Sequence, residues 1–217
     1  MFLGHYAAAF AAKKWAPKVS LGTLFLASVW LDILWSIFLL LGWETVAIAP
    51  GITRVVPIDF TEYALSHSLV MALAWAVLLG IVSLIITKNE KASLVIAGLV
   101  ASHWLLNLIV HRPDMHLTPL GNPMDIKWGL NLWNSIPATI IVEAVLFAAG
   151  LWLYLKSTKA AAGQWRFWAL CAALIAVFVG IFYMPVPKNA GLVAIEGQIQ
   201  LLFVAWGYWA DDSRKSA

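Results

Sequence analysis

The chain has 217 residues, 62% of them apolar and 12% charged, with a mean hydropathy of +0.84. A soluble domain of this length would carry roughly twice that charged fraction, so the composition excludes one and implies a polytopic membrane protein. The net charge of +3 is spread over short loops rather than gathered in a patch, which argues against nucleic acid as a partner. Cys171, alone, leaves no intrachain disulfide and no cysteine zinc site.

From the N-terminus, the apolar run Phe2 to Ala12 ends in Lys13 and Lys14, the wrong side for the charge of a cleavable signal. Its alanines favour a helix, and the run is too short to span a bilayer. It is expected to lie on the membrane surface as an interfacial helix or to dip inward as a re-entrant half-helix. That choice decides where His5 sits. Six later stretches reach the length of about 20 residues that a span needs, near 19–43, 63–87, 91–111, 134–155, 165–184 and 191–210. The expected fold is therefore all-α: one integral membrane domain over 1–217, a helical bundle of six spans with no repeat and no paired broken helices.

The connections differ in character. Glu44 to Glu62 carries Pro50-Gly51 and Pro57; Arg112 to Trp133 carries Pro113, Pro119, Gly121-Asn122-Pro123 and Gly129. Long loops on one face often lid a site held by a rigid bundle. Lys88-Asn89-Glu90-Lys91 reads as a tight helical hairpin, and the connections on that side look like plain tethers. Lys13, Lys14, Lys18, Lys88, Lys91, Lys156, Lys159, Arg166, Arg214 and Lys215 fall on one side of the six spans. Arg54, Arg112, Lys127 and Lys188 fall on the other. The positive-inside rule then puts both termini in the cytoplasm, and Trp15, Trp43, Trp128, Trp133, Trp165 and Trp209 lie where an interfacial belt belongs.

Polar side chains inside the spans carry the functional argument. Asp32 lies mid-span, where an isolated carboxylate costs about 2.5–3.5 kcal/mol on insertion scales. It is about 21 Å along the helix from Lys18, at 1.5 Å per residue. His67 begins the second span between Ser66 and Ser68. His103, Asn107 and His111 follow one another at intervals of four on one face of the third. Glu143 lies in the fourth span and Glu196, with Gln200 on its face, in the sixth. These depths let Asp32, His67 and His103 converge from three consecutive spans. His5 joins them if the first helix dips inward, gaining about 12 Å of depth from Lys13. His111 could be a further ligand or a cap on its helix end.

Histidine and carboxylate together suit zinc, manganese or iron, and a bound ion lowers the pKa of its water toward neutrality. The competing readings are polar groups that bind helices together and groups that pass ions or protons.

These residues also resemble a known group. LGHYAAAFAAKK, Asp32 in LDILW, Ser-His-Ser in YALSHSLVMAL and SHWLLNLIVHRPDMHL are similar to small bacterial inner-membrane proteins described as membrane-bound metal-dependent hydrolases. GLNLWNSIPATIIVEAVLFAAGLWLY looks like a subgroup labelled only as membrane proteins or permeases. The resemblance implies a metal site at His5, Asp32, His67 and His103. The family pattern His-x-x-x-Asp is departed from at Asn107, whose amide offers a carbonyl oxygen and no base.

The expectation is thus metal-dependent hydrolysis of a lipid or other ester. A divalent ion such as zinc would be held by Asp32, His67 and His103, with His5 and His111 as further ligands. Asn107 would orient a ligand, and Glu143 or Glu196 would relay protons. Membrane lipids, and other copies in a homo-oligomer, are the expected partners. A transporter or channel-like protein and a structural or regulatory membrane protein are the alternatives.

Overall fold

The computed structural model describes residues 1–119 and 127–216; the expected Gly121-Asn122-Pro123 turn lies outside them. The alanine-rich N-terminus forms α1 (Leu3–Ala12), with Leu3, Tyr6, Ala9 and Phe10 all buried. A helix apolar all round belongs inside a bundle, and α1 packs against α2 (Leu21–Ser28), α6 (Glu90–Val110), α7 (Ile136–Ser157) and α8 (Trp165–Ile181). Other helices thus enclose α1 on its apolar faces. The crossing with α7 is close: a Cβ on Gly150 would sit 2.3 Å from the carbonyl oxygen of Ala7. Small residues let backbones approach in this way.

At its far end, the buried Lys13 donates from Nζ to the Val19 carbonyl at 2.8 Å and to Asp211 Oδ1 at 2.9 Å. Asp211 also accepts the Leu21 N–H at 2.9 Å. One ion pair thereby joins the end of α1, the start of α2 and the last residue of α10 (Ile199–Asp211).

The first expected span is interrupted. Between α2 and α3 (Trp30–Leu41) the axis bends by 57° at Val29. No proline or glycine causes it; the break is held by packing and by what takes the freed backbone groups. The second expected span is interrupted too. A single turn, α4 (Ala64–His67), stops at the extended Ser68, and α5 (Leu69–Thr87) begins afresh. Its first N–H groups donate outside the helix, from Leu69 to the His116 carbonyl at 3.1 Å and from Val70 to that of Leu117 at 3.0 Å. These breaks correct the expectation of helices without interruptions.

Among the described residues four helices are long and apolar enough to cross a membrane: α5, α6, α7 and the run Ala190–Asp211, which comprises α9 (Ala190–Gly197) and α10. The bent α2–α3 pair makes a fifth if it crosses as one, and α8, apolar but 17 residues long, is shorter. The outer faces of α5 and α6 are greasy, with Ile85, Ile86 and Leu94 among the exposed side chains. Trp15, Trp43, Trp128, Trp165 and Trp209 are exposed near helix ends or in the loops beyond them, as a belt requires.

The all-α expectation needs correcting in the loops. β1 (Thr45–Ile48) and β2 (Ile58–Glu62) form an antiparallel hairpin, with Val46 opposite Phe60 and Ile48 opposite Ile58. Alternation turns Val46, Ile48, Ile58 and Phe60 toward the bundle. The turn contains Gly51 at φ +86, a conformation glycine adopts without a Cβ clash. At the opposite end, the connection expected to be a plain tether forms β3 (Thr158–Ala160), paired with β4 (Arg214–Ser216). The Arg214 guanidinium donates to Thr158 Oγ1 at 2.9 Å and lies over the ring of Phe167 at 5.5 Å.

Candidate functional site

The two helix breaks build the site. At the α2–α3 bend the Ser28 carbonyl turns away from its own helix and accepts from His103 Nδ1, on α6, at 2.8 Å. A carbonyl can only accept, so Nδ1 of His103 carries a proton, and Nε2 of a neutral ring carries none and accepts from Asn107 Nδ2 at 3.0 Å. Asp32, in the first turn of α3, then stands where the helix dipole favours a carboxylate. His67 ends α4 at the second break, its Nδ1 2.7 Å from Ser66 Oγ. That hydroxyl donates to Glu44 Oε2 at 2.7 Å, while the Ser66 N–H donates to Glu44 Oε1 at 2.7 Å. With its one proton given to a carboxylate, Ser66 can only accept from His67. Nε2 of His67 is therefore unprotonated as well. Burial pushes the Glu44 carboxyl upward from its ordinary range, against the hydrogen bonds from Ser66 that hold it down.

Both unprotonated nitrogens face one atom. Asp32 Oδ1 is 3.4 Å from His67 Nε2 and 3.3 Å from His103 Nε2. Three lone-pair groups at that range repel unless a proton or a cation lies among them. A tetrahedral site with bonds of about 2.0–2.1 Å has ligand-to-ligand edges of about 3.3–3.4 Å, which each of these two separations from Asp32 matches, although the group whose ligand atoms are all mutually close pairs Asp32 and His103 with His5 rather than His67. Asp32 Oδ2 accepts from Gln200 Nε2 on α10 at 3.0 Å, which fixes the carboxylate from its other side. Outer hydrogen bonds of this kind, imidazole Nδ1–H to a carbonyl or toward a carboxylate, orient metal-binding histidines.

His5 completes the group from α1. Its ring stacks on that of His103, with centroids 3.7 Å apart and planes at 2°. Its Nε2 lies 3.1 Å from Asn107 Oδ1, so Nε2–H donates and Nδ1 is bare, buried and without a partner among the described residues. A buried polar atom left so costs about 1–3 kcal/mol. His5, Asp32 and His103 each offer a ligand atom within 4.8 Å of the other two, so this group could hold a metal ion. His67 reaches the same Asp32 oxygen from the side of the cavity.

Asn107 sits at the centre of the polar contacts. Its Oδ1 also accepts from the Met1 nitrogen at 2.7 Å, and its Nδ2 donates to His103 Nε2 at 3.0 Å. An ion at His103 would take over that last lone pair. A cavity of about 240 Å³ opens beside these groups, lined by Asp32, His67, Asn107 and Gln200 together with Trp35, Phe60 and Trp133.

The remaining expected site residues stand elsewhere. Glu143 Oε1 accepts from the Phe2 N–H and Oε2 from the Gly4 N–H, both at 2.9 Å. It caps α1 with a carboxylate, which the helix N-terminus favours, and thereby holds His5 at its depth. Glu196 lines the outer part of the cavity and is exposed. His111 also lines the cavity, but its Nδ1 is bound to Asp114 Oδ1 at 3.1 Å. Tyr63 donates to the same oxygen at 2.9 Å, and Arg112 Nε to the other at 3.0 Å. Burial lowers His111 to about 4 despite Asp114 beside it. Asp114, which burial alone would raise, is held below its ordinary value by His111, Tyr63 and Arg112. Burial, with Asp114 beside it, pushes the Tyr63 phenol well up, so it stays a donor. Arg112 also pairs with Asp59 on β2, tying the second loop to the hairpin.

Sequence reasoning missed Glu44, Ser66 and Asp114 as partners and Gln200 as the holder of Asp32. The one available signal for Gln200 was a polar face in an apolar span; nothing in the chain links Glu44 to Ser66 before folding.

No protein-family model, curated protein or solved structure matches this chain. The resemblance noted in the sequence has no counterpart there.

Proposed function

We propose that this is a bacterial inner-membrane, metal-dependent hydrolase that cleaves an ester. In this reading α2–α3, α4–α5, α6, α7, α8 and α9–α10 make six crossings, α1 is re-entrant, and both termini are cytoplasmic. The exposed faces of α5 and α6 meet lipid or a second copy. Asp32, His67 and His103 hold a divalent cation such as zinc, with the bare Nδ1 of His5 close by. The ion would supply a bound water made nucleophilic at neutral pH. Around it, the chain's own groups divide the tasks. Ser28 and the Ser66–Glu44 pair fix the imidazole protons, Gln200 and Asn107 orient Asp32 and His103, and the ring-lined cavity keeps bulk water out. His111 and Glu196, not Glu143, line the cavity and are placed to exchange a proton with it.

The observation that carries this reading is the pair of imidazole nitrogens, Nε2 of His67 and Nε2 of His103, facing one oxygen of the half-buried Asp32 carboxylate. The motif resemblance to membrane-bound metal-dependent hydrolases points the same way. Metal analysis of protein purified in detergent tests it. About one equivalent of ion per chain is expected, lost in a His67→Ala/His103→Ala double variant that keeps its helix content. A metal-free wild type overturns it.

A second reading has its own support. Asp32 and His67 both sit at interruptions of apolar helices, and discontinuous helices are where transporters bind ions. Metal-free protein whose reconstituted vesicles pass protons, and lose that flux in Asp32→Asn, would select it.

A further inference from the structure

A second, largely apolar cavity adjoins the one beside Asp32. It has a volume of about 200 Å³, shares Val56, Ile58, Ile181 and Glu196 with the first and is otherwise lined by Val55, Pro57, Met184, Pro185 and Pro187. The first is polar toward Asp32, His67 and Asn107. The other is aliphatic and ends between the hairpin loop and the segment after α8. There Tyr183, Met184 and Val186 are exposed; large apolar side chains grouped at the mouth of a cavity mark a contact with lipid rather than water. At the polar end Trp35 lines the space, 8% exposed, and its indole N–H is buried without an acceptor among the described residues. A buried indole donor ordinarily has a partner. A carbonyl oxygen of a bound molecule would supply one.

We infer that the two cavities join into a subsite, the second its apolar arm, for one acyl chain of a bilayer lipid, entering sideways past Met184 and Pro185, with the chain's ester carbonyl beside Trp35 at the Asp32 end. The gradient fits an amphiphile and no fully polar substrate. A water-soluble ester would leave the arm's lining unmatched, and a bare hydrocarbon would leave Trp35 and the polar groups desolvated without partners. The inference rests on the proposed hydrolysis only for the identity of the reacting end; the chain-binding arm stands by itself.

A nitroxide-labelled lysophosphatidylglycerol, its label midway along the chain, tests this by electron paramagnetic resonance on protein in nanodiscs. An immobilised component is expected with the wild type. Ile181→Trp, which fills the arm, and Met184→Trp, which blocks an already exposed mouth, should each weaken it about tenfold. Leu94→Trp, on the outer groove between α5 and α6, should leave it unchanged. Bound metal, measured on the same samples, should be equal in all four proteins. An immobilised component that persists in both arm variants, that falls equally in Leu94→Trp, or that is missing from the wild type overturns the subsite. Immobilised lipid with no metal in any sample keeps the subsite and removes the metal reading instead.

Discussion

Oγ of Ser66 stands between His67 and Glu44, 2.7 Å from each, and through its single proton it decides which nitrogen of His67 is free. Glu44→Gln therefore makes a sharp test at the residue level. The amide can donate to Ser66 Oγ, letting the hydroxyl proton turn toward His67 and favour the other tautomer. Loss of such an outer partner typically costs 10–100-fold in metal affinity, so a drop of about that size is expected in competition with a chelator, with helix content unchanged. His111 and Asp114 give a second test. An undocked His111 takes a proton near 6.5, whereas in the folded protein it resists until about 4. Asp114 is depressed likewise. Between those values the undocked state binds more protons, so loop docking is complete above pH 6.5 and weakens as pH falls toward 4. Amide hydrogen exchange at Met115 and Trp128, whose N–H and carbonyl groups pair across the loop, should quicken over that window; flat protection down to pH 4 would contradict the assignment.

At the level of elements, α1 governs whether His5 has a site at all. Its depth is set by the Glu143 cap, the Lys13–Asp211 pair and the close crossing at Gly150. Gly150→Leu pushes a side chain into the Ala7 backbone and should cost about 1–3 kcal/mol or more, as overpacking does, seen as a lower thermal midpoint. A variant as stable as the wild type would mean that α1 is not wedged there. The convergence of Asp32, His67 and His103 was legible in the sequence because a helix advances a fixed distance per residue. The breaks at Val29 and Ser68 were not, since neither residue is a helix breaker and the groups that satisfy the freed backbone, His103 on one side and the carbonyls of His116 and Leu117 on the other, come from distant chain. The β1–β2 hairpin could have been read from the alternation of Val46 and Ile48, and of Ile58 and Phe60, across Pro50-Gly51; in a chain this apolar, that short signal was outweighed by the spans around it. Glu143 was misplaced because nothing local marks a carboxylate as the cap of a helix 139 residues away.

For the whole molecule, composition points to a membrane protein; the structure has four helices among the described residues long and apolar enough to cross one, and a polar centre between α1, α3, α4, α6 and α10. Six crossings make a testable claim about sidedness. In a Cys171→Ser background, Thr61→Cys on the hairpin should react with a membrane-impermeant thiol reagent added outside intact cells. Lys88→Cys and Lys159→Cys should react only after the membrane is opened. Labelling of Thr61→Cys and Lys88→Cys from the same side would remove the second crossing and with it the topology.

The most direct measurement is the visible spectrum of protein loaded with cobalt(II). Four-coordinate cobalt absorbs intensely and higher coordination weakly, so the enclosed imidazole and carboxylate donors predict an intense spectrum from one equivalent, abolished in Asp32→Ala and in His103→Ala and preserved in Glu196→Gln. Weak absorption that survives the loss of Asp32 or His103 would contradict the convergence of those side chains on one ion.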